Sequence, residues 1–330
     1  MNRRDFVRDL ALAGALLGTR PQIGAAEPPP ETSRIRLGRV PSVCVSPQYV
    51  AEELLRAEGF TEVSYVETAG GLPGAQATGE GQVDVSQNFA APLVMSLDAG
   101  HPIVLLGGVH VGCFELFATG RVRTLRDLKG KTVAVFGIQS AQHVFLASMM
   151  TQVGLDPRTD VTWVVHPPDE AMRLLAEGKV DGYLGFPPDP QELRAKKVGH
   201  VIVNSAVDRP WSQYFCCMVS ANREFVRTHP VAAKRALRAI LKSDQICALE
   251  PERAVRAFLG RGFKANPEYA LQAVKAIPFG RWREFNPEET VRFYALRLRE
   301  AGMITSSPQK ILAQGTDWRF LTELKKELKG

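Results

Sequence analysis

Two segments that lie 97 residues apart repeat one short pattern, and this repeat constrains the fold more than any other feature of the chain. Residues 81–84 read Gly-Gln-Val-Asp and residues 178–181 read Gly-Lys-Val-Asp. In each segment a helix ends at glycine, which enters the left-handed conformation at low cost, and a turn leads to an apolar residue that begins a strand. The repeat predicts two similar α/β lobes, and a cleft between lobes is a common place for a small ligand.

The size and composition of the chain are those of a globular protein with two domains. It has 330 residues, of which 45% are hydrophobic and 23% are charged, and chains of this length usually divide into domains. The formal net charge of +6 is a mild excess, and the basic residues are scattered among acidic ones. A nucleic-acid partner would require a concentrated basic stripe, so we expect none.

The first 26 residues have the pattern of an export signal. An arginine pair at positions 3 and 4 is followed by an apolar run over residues 10–18 and by small residues at 24–26. The apolar run is too short to span a bilayer, and the arginine pair resembles the twin-arginine signal, with a general secretion signal as the alternative. We expect cleavage after Ala26 and a periplasmic mature protein.

The cysteines allow more than one interpretation. The chain contains five of them: Cys44, Cys113, Cys216, Cys217 and Cys247. An odd number leaves at least one thiol free or paired between chains. In an oxidising compartment Cys113 could bridge to Cys216 or Cys217, and the alternative is that all five are buried apolar thiols. No spacing of cysteine and histidine indicates a metal site, so we expect none.

Strand-like and helix-like segments alternate through the first two thirds of the chain, which favours parallel sheets with helices on both faces. We expect a flexible leader over residues 27–34, a first lobe comprising residues 35–118 and 214–330, and a second lobe comprising residues 119–213. The chain would cross between the lobes twice, and two crossings form a hinge that allows closure around a ligand. The last third predicts a helical tail on lobe one, because several segments open with proline or a capping residue.

Four short segments together resemble a known family. Residues 47–51 read Pro-Gln-Tyr-Val-Ala, residues 128–134 read Leu-Lys-Gly-Lys-Thr-Val-Ala, and Ser140 and Ala141 precede a helix, ahead of the second glycine turn at 178–182. Their order and spacing resemble those of periplasmic substrate-binding proteins of ABC importers. The resemblance is to the nitrate/sulfonate/taurine type, which is related to the thiamine-pyrimidine synthesis proteins, and it covers most of residues 35–260.

The resemblance implies a two-lobed periplasmic-binding-protein fold of type II, α/β in class, that captures a small organic ligand and delivers it to an ABC permease. It implies a monomer without a cofactor and without catalytic activity. The ligand expected is an anion or a flat heterocyclic or aromatic molecule. The chain departs from the family in two respects: no basic residue can be placed against an anion, and the cysteine-rich patch of the thiamine-pyrimidine enzymes is absent.

Candidate ligand contacts in lobe one lie in loops at the carboxyl ends of strands, where the sites of such folds are found. These are Gln48 and Tyr49 after the first strand, and Gln87 and Asn88 at the end of a later strand. Tyr49 would either stack on a ligand or pack its own helix. The polar character of the other three favours hydrogen bonds to a ligand.

The strongest local signal in lobe two is the segment of Gln139, Ser140 and Ala141 at the start of a helix. A helix N-terminus offers unpaired N–H groups and the positive end of the helix dipole, which suit a carboxylate, sulfonate or nitrate. Ser140 would cap the helix whether or not a ligand binds there. The glycine spacing is not that of a dinucleotide fingerprint.

Five further candidates lie near the hinge or on a strand-end loop: Phe114, Glu115, Phe186, Trp211 and Tyr214. Glu115 is either a ligand contact or one member of a buried ion pair. Trp211 is either part of the site or part of the packing between lobes. Together the aromatic residues predict a cleft that suits a flat or partly apolar organic molecule better than bare nitrate.

The chain has no motif of a known catalytic site. A nucleophile elbow, a phosphate-binding loop and the zinc-binding pair of histidines are all absent from the sequence. An exported enzyme or a cofactor-carrying protein on the same fold is nevertheless one alternative, because twin-arginine export moves folded proteins. A binder of a thiamine-pyrimidine precursor and a sensory protein that docks on a receptor are the others.

Overall fold

A computed structural model describes residues 27–68 and 70–328. The expected export signal, with its cleavage position at Ala26, lies outside the described residues. None of the described helices combines the length and the apolar character that a bilayer crossing requires.

The first lobe begins with four strands and three helices that alternate along the chain. They are β1 (Arg34–Arg39), α1 (Ser46–Ala57), β2 (Glu62–Glu67), α2 (Gly71–Gly79), β3 (Val85–Phe89), α3 (Ala90–Asp98) and β4 (Ile103–Val111). Helix α1 carries proline in its first turn, where the missing N–H has no partner to lose. Strands β3 and β4 are buried along their whole length, as strands covered on both faces are.

The second lobe continues the alternation with five strands and three helices. They are β5 (Glu115–Ala118), β6 (Lys131–Val135), α4 (Ala141–Gln152), β7 (Val161–Val165), α5 (Pro168–Ala176), β8 (Gly182–Gly185), α6 (Asp189–Ala195) and β9 (His200–Asn204). A 3₁₀ turn over Leu125–Leu128 leads into β6, and Thr124 and Asp127 stabilise it with a capping box.

The chain then returns to the first lobe and ends in a helical tail. These elements are β10 (Phe215–Asn222), α7 (Arg223–Thr228), α8 (Pro230–Leu249), α9 (Pro251–Leu259), α10 (Pro267–Ala276), α11 (Pro287–Glu300), α12 (Pro308–Gly315) and α13 (Arg319–Glu327). The predicted caps are present: Asn266 and Asn286 each accept a hydrogen bond of 2.9 Å from an N–H group two residues on.

Each lobe is built on one five-stranded mixed sheet. The strand order is β2-β1-β3-β10-β4 in the first lobe and β7-β6-β8-β5-β9 in the second. In each sheet three neighbouring strands run parallel, and the fourth strand in the order runs antiparallel to both of its neighbours. The expectation of parallel sheets is met by four strands of each sheet and is wrong for β10 and β5, because a strand that arrives from the other lobe enters its sheet in the opposite direction.

The antiparallel strand of each sheet comes from the segment that has just crossed between the lobes. Strand β5 follows the first crossing and pairs with β8 and β9, and β10 follows the return crossing and pairs with β3 and β4. The predicted boundary kept residues up to 118 in lobe one, whereas the hydrogen bonds of β5 place it in the second sheet. The first crossing is therefore the short segment between Val111 and Glu115.

The repeated sequence pattern forms the same helix-to-strand turn in both lobes. Gly81 and Gly178 adopt φ values of 75° and 67°, which only glycine enters without strain. The chain reverses after helix α2 in one lobe and after α5 in the other. Val83 and Val180 are then buried at the approach to β3 and β8. The prediction of a common lobe plan is confirmed.

The aspartate of each repeat ties its strand to the neighbouring strand. Asp84 accepts a hydrogen bond of 2.7 Å from the N–H of Arg36 in β1, and Asp181 accepts one of 3.1 Å from the N–H of Thr132 in β6. Both aspartates also pair with an arginine side chain. Both aspartates are therefore turn residues that link neighbouring strands within their own sheet, and they lie outside the cleft.

The segment over 27–34, predicted to be a flexible leader, packs on helix α8. Glu31 accepts hydrogen bonds of 2.9 Å from the N–H groups of Val231 and Ala232 in the first turn of that helix, where a carboxylate also meets the positive end of the dipole. Glu27 pairs with basic side chains of the same helix. The segment is thus anchored at both ends.

The helical tail contacts both lobes rather than lobe one alone. Helix α8 packs along α1, and α11 packs against α3, both in lobe one. Helix α11 also packs on α4 of lobe two, where the rings of Tyr294 and Phe145 lie 6.0 Å apart. The tail therefore supports the back of the α4 helix whose N-terminus faces the cleft.

Candidate functional site

A cavity of about 420 Å³ lies between the two lobes, at the carboxyl ends of their parallel strands. Lobe one contributes the loop after β1, Gly70 and the first residues of α2, and the last residue of β3. Lobe two contributes the loops after β6 and β8 and the first turns of α4 and α5. The volume is sufficient for a small organic molecule.

The N-terminus of helix α4 forms the lobe-two wall. Ser140 caps the helix, since its Oγ accepts a hydrogen bond of 3.3 Å from the N–H of His143. The N–H groups of Ala141 and Gln142 belong to the first turn, where no preceding carbonyl of the helix can accept them, and both residues line the cavity. A polar or anionic ligand group would meet these donors and the positive end of the dipole.

The loop before this helix is held in an unusual conformation. Gln139 has a φ of 66°, in the left-handed region that side-chain-bearing residues seldom enter. Its N–H donates to Nδ1 of His143 at 3.1 Å, an atom that accepts only in the neutral ring. Burial lowers the pKa of His143 to about 4, so the ring is neutral near pH 7 and fixes the loop against the cavity.

Gln142 is a buried amide in the helix turn that lines the cavity. Its side chain is 3% exposed, the residue lines the cavity, and its Nε2 has no hydrogen-bond partner among the described residues. A buried donor left unpaired costs roughly 1–3 kcal/mol, and buried polar groups are normally paired. An acceptor atom of a bound ligand would remove that cost.

The lobe-one wall consists of loops that are held from behind by buried side chains. The hydroxyl of Tyr49 accepts a hydrogen bond of 2.8 Å from the N–H of Val40 and donates to the carbonyl of the same residue. The amide of Asn88 accepts from the N–H of Gly71 and donates to its carbonyl, both at 2.9 Å. These bonds fix the positions of two loops that line the cavity.

The rest of the lining is mostly apolar. Three aromatic rings border the cavity, those of Phe89, Phe136 and Phe186, and the rings of Phe89 and Phe186 lie 6.5 Å apart in an edge contact. Phe136 is 49% exposed, so a ligand could cover it. Among the described residues that line the cavity, none carries a charged or imidazole side chain.

The match to a family of known proteins extends over both sheets. The sequence model of the NMT1-like family matches residues 28–258. The chain belongs to the NMT1-like family. It is 24% identical over 239 residues to the nitrate import ATP-binding protein NrtC of Synechocystis sp., a match that covers 66% of this chain and 35% of that protein. The chain thus spans about a third of the length of this relative.

Solved structures share the fold of this chain. The periplasmic nitrate-binding protein NrtA from Synechocystis aligns with a TM-score of 0.69 and 16% identity, over 92% of this chain and 90% of that one. The aliphatic sulphonate binding protein SsuA from Escherichia coli aligns with a TM-score of 0.65 and 18% identity, over 83% and 87%. The predicted two-lobed periplasmic-binding-protein fold is confirmed.

Four residues predicted as ligand contacts in this NMT1-like protein line the cavity. They are Gln139, Ser140, Ala141 and Phe186. Three of them come from the start of α4, where the sequence signal was local. Phe186 comes from the loop after β8, at the position that the strand-end rule nominated.

Five predicted residues lie one layer behind the lining: Gln48, Tyr49, Gln87, Asn88 and Phe114. The Gln48 side chain accepts from the N–H of Gln87 at 2.7 Å and donates to the carbonyl of Gly38. Phe114 packs between Phe89 and Phe145, at ring distances of 5.3 and 5.0 Å. Apart from Oε1 of Gln87, which has no partner among the described residues, the side-chain polar groups of this layer bond to the main chain and support the wall. Tyr49 packs its own helix.

The remaining three predicted residues lie away from the cavity. Glu115 forms an ion pair with Arg194, and burial raises the pKa of this carboxyl against the effect of the arginine. Trp211 is 3% exposed and packs between lobe two and the tail. Tyr214 stacks on Phe293 of the tail at 3.9 Å. Both aromatic residues therefore contribute packing at the return crossing.

The sequence reasoning missed much of the lobe-one wall. Val40, Pro41 and Ser42 follow β1, and residues 70–73 follow β2, yet both loops line the cavity. Their positions obey the same strand-end rule that nominated other residues. Apart from Ser42, these segments carry apolar side chains or glycine, so polar side chains near strand ends do not mark them.

Proposed function

We propose that this protein is an extracytoplasmic solute-binding component of an ABC importer, which holds a small organic ligand between its lobes and delivers it to a permease. Membership of the NMT1-like family and the two-lobed fold support this role. The cavity at the strand ends of both lobes gives the ligand a place. We further propose that the protein acts as a periplasmic monomer after cleavage near Ala26.

The proposed ligand is amphiphilic, with an anionic or strongly polar head and a flat apolar body. The observation that carries this proposal is the unpaired Nε2 of buried Gln142 beside the free N–H groups of the α4 N-terminus. These donors would bind the head. The rings of Phe89, Phe136 and Phe186 would contact the body.

The charge distribution of the site favours binding over catalysis. General acid–base and nucleophilic mechanisms require a titratable or nucleophilic group at the reacting atom. The side chains around the cavity that carry polar atoms are amides and serine hydroxyls, and His143, which follows the lining residue Gln142, is engaged by the main chain of Gln139. We therefore propose a role without turnover.

Calorimetry of the purified protein with a matched panel tests this proposal. The panel comprises benzenesulfonate, hexanesulfonate and benzoate as amphiphilic anions, nitrate as a bare anion, and benzylammonium as a cation of similar shape. We expect one of the amphiphilic anions to bind with micromolar or tighter affinity, and nitrate and benzylammonium to bind far more weakly. Binding of benzylammonium alone, or of no member of the panel, would refute the proposed ligand class.

Replacing Gln142 with leucine tests the proposed head-group site. Hydrogen bonds to a charged group contribute about 1.5–3 kcal/mol, so the affinity for the tightest-binding anion of the panel should fall about ten- to a hundredfold. Gln191→Leu is the matched control, because Gln191 is also buried with an unpaired amide atom but lies on α6 outside the cavity. Equal affinities in the wild type and Gln142→Leu would show that the head group binds elsewhere.

A further inference from the structure

Four of the five cysteines form one buried cluster beside the crossings between the lobes. Cys113 lies in the first crossing, Cys216 and Cys217 lie in β10 directly after the return crossing, and Cys44 lies just before α1. The Sγ atoms of Cys113 and Cys216 are 3.0 Å apart, and those of Cys44 and Cys217 are 3.8 Å apart. The cluster therefore joins segments that are distant in the sequence.

A β-bulge explains how two consecutive cysteines both reach a sulfur partner. In a regular strand, neighbouring side chains point to opposite faces. In β10 the register against β4 shifts between Phe215 and Cys217, so Cys216 is the extra residue of an irregular pairing. Bulges re-aim a side chain in this way, and here the re-aimed thiol meets Cys113.

We propose that Cys113 and Cys216 form a disulfide bond that ties the outgoing crossing to the returning one. Their sulfur atoms are 3.0 Å apart. Carbon atoms are smaller than sulfur, yet two of them contact each other best at roughly 3.5–4.0 Å. The separation is therefore too short for an ordinary contact between two sulfur atoms. The two residues are also the cysteines of the cluster with residual exposure, 6% and 5%, whereas Cys44 and Cys217 have none. The bond would fix the two strands of the hinge to each other.

A metal site built on the same cluster is the competing interpretation. Cys44, His110 and Cys217 have their potential ligand atoms within 4.8 Å of one another. Both ring nitrogens of His110, however, face main-chain carbonyl oxygens, Nε2 that of Cys44 at 3.1 Å and Nδ1 that of Gly112 at 3.0 Å. A carbonyl oxygen can only accept, so each nitrogen donates and neither keeps a lone pair for a metal.

The other three cysteines are expected to remain thiols. The Cys44 and Cys217 sulfur atoms are at the distance of an ordinary contact, and Cys44 is also 3.1 Å from the hydroxyl of Ser42. Cys247 is buried in α8, apart from the cluster. One disulfide and three thiols would account for the odd number of cysteines.

The reaction is a thiol–disulfide exchange with a small disulfide such as oxidised glutathione. Cys216, the residue that the bulge re-aims at Cys113, is the attacking thiolate. Its sulfur forms a mixed disulfide and releases one glutathione thiolate. Cys113 then loses its proton, attacks the Cys216 sulfur and releases the second. Two protons and two electrons leave the protein, and the glutathione disulfide is reduced to two thiols.

Counting thiols in the purified protein tests the proposal independently of ligand and export route. The protein is equilibrated with oxidised glutathione, denatured, and alkylated with iodoacetamide before or after reduction. We expect three alkylated cysteines before reduction and five after it, with a peptide pair that links Cys113 to Cys216. Cys216→Ser should give four before and after. Cys113→Ser should give three before and four after, because the mixed disulfide on Cys216 has no resolving thiol. The control Cys247→Ser should give two and four.

Several results would overturn the proposal. Five alkylated cysteines before reduction would show that no bond forms, and a link from Cys113 or Cys216 to Cys44 or Cys217 would show a different pairing. Zinc or copper that resists dialysis and requires the cluster cysteines would favour the metal site. The count on the wild-type chain decides the matter even if a serine variant fails to fold. Failure of the anion panel would leave this result unaffected.

Discussion

The two walls of the cleft use their polar side chains in opposite ways. In lobe one, Tyr49 and Asn88 turn away from the cavity and bond to the main chain of Val40 and Gly71. In lobe two, Gln142 and the first N–H groups of α4 belong to the helix turn that lines the cavity, and the Gln142 donor has no partner among the described residues. Lobe one thus supplies a fixed surface, and lobe two supplies the groups suited to recognition.

Replacing Asn88 with leucine tests the lobe-one wall and should have the largest effect on the stability of the protein. The substitution removes the partners of the Gly71 N–H and carbonyl and of the Phe89 N–H. Each buried group left unpaired costs roughly 1–3 kcal/mol, so the free energy of unfolding should fall by about 4 kcal/mol. Urea denaturation followed by circular dichroism measures the change.

Gln142→Leu is the matched comparison from the other wall. It removes a buried amide whose Nε2 bonds to none of the described residues, so the unfolding free energy should stay the same or rise. Ligand affinity, in contrast, should fall in this variant. An equal loss of stability in both variants would mean that the walls do not differ in the way the hydrogen bonds indicate.

The lobes can also be compared through one buried carboxyl group in each. Burial raises the pKa of Asp244, in α8 beside lobe one, and of Asp189, in α6 of lobe two, to about 7 in both cases. From pH 4 to pH 7 the unfolded chain releases protons that the folded chain keeps, so this contribution to stability is complete below pH 4 and is lost as the pH rises through 7. Each group should contribute a change of roughly 4 kcal/mol.

Asp189→Asn and Asp244→Asn separate the two contributions. Asparagine can still accept the hydrogen bonds from the hydroxyl of Tyr183 and from the N–H of Gly280. Relative to the wild type, each variant should gain stability as the pH rises from 4 to 7. Urea denaturation at several pH values measures this difference. If the free energy of unfolding of a variant changes with pH in the same way as that of the wild type, the carboxyl group that was replaced ionises normally in the folded protein.

The plan of the lobes could be predicted from the sequence because it rests on local signals. A glycine at a helix end and an aspartate in the following turn have the same role in both lobes, and Gly81 and Gly178 show it. The direction of β5 and β10 could not be predicted, since it depends on which lobe a strand arrives from. For the same reason the lobe boundary was predicted after β5, whereas β5 belongs to the second sheet.

The candidate site could be predicted only on its lobe-two side. Ser140 and its neighbours are recognisable because a helix start has a sequence signature. Gln48 and Asn88 are polar residues near strand ends too, but tertiary packing directs their side chains to the main chain. Sequence alone does not tell which polar groups are satisfied inside the protein and which remain available to a ligand.

The smallest expected effect tests whether the two walls must approach each other. Gly71 has a φ of 63°, and a Cβ atom placed there would lie 3.3 Å from the nitrogen of Ala141 across the cleft. Gly71→Ala should therefore hinder closure and weaken binding of the tightest anion of the panel about tenfold, or about 1.4 kcal/mol, by calorimetry. Gly130→Ala is the control, because Gly130 has a φ of 72° with open space around it. Both variants should lose about 1 kcal/mol of stability to backbone strain, so an equal loss of affinity would assign the effect to strain rather than to contact between the walls.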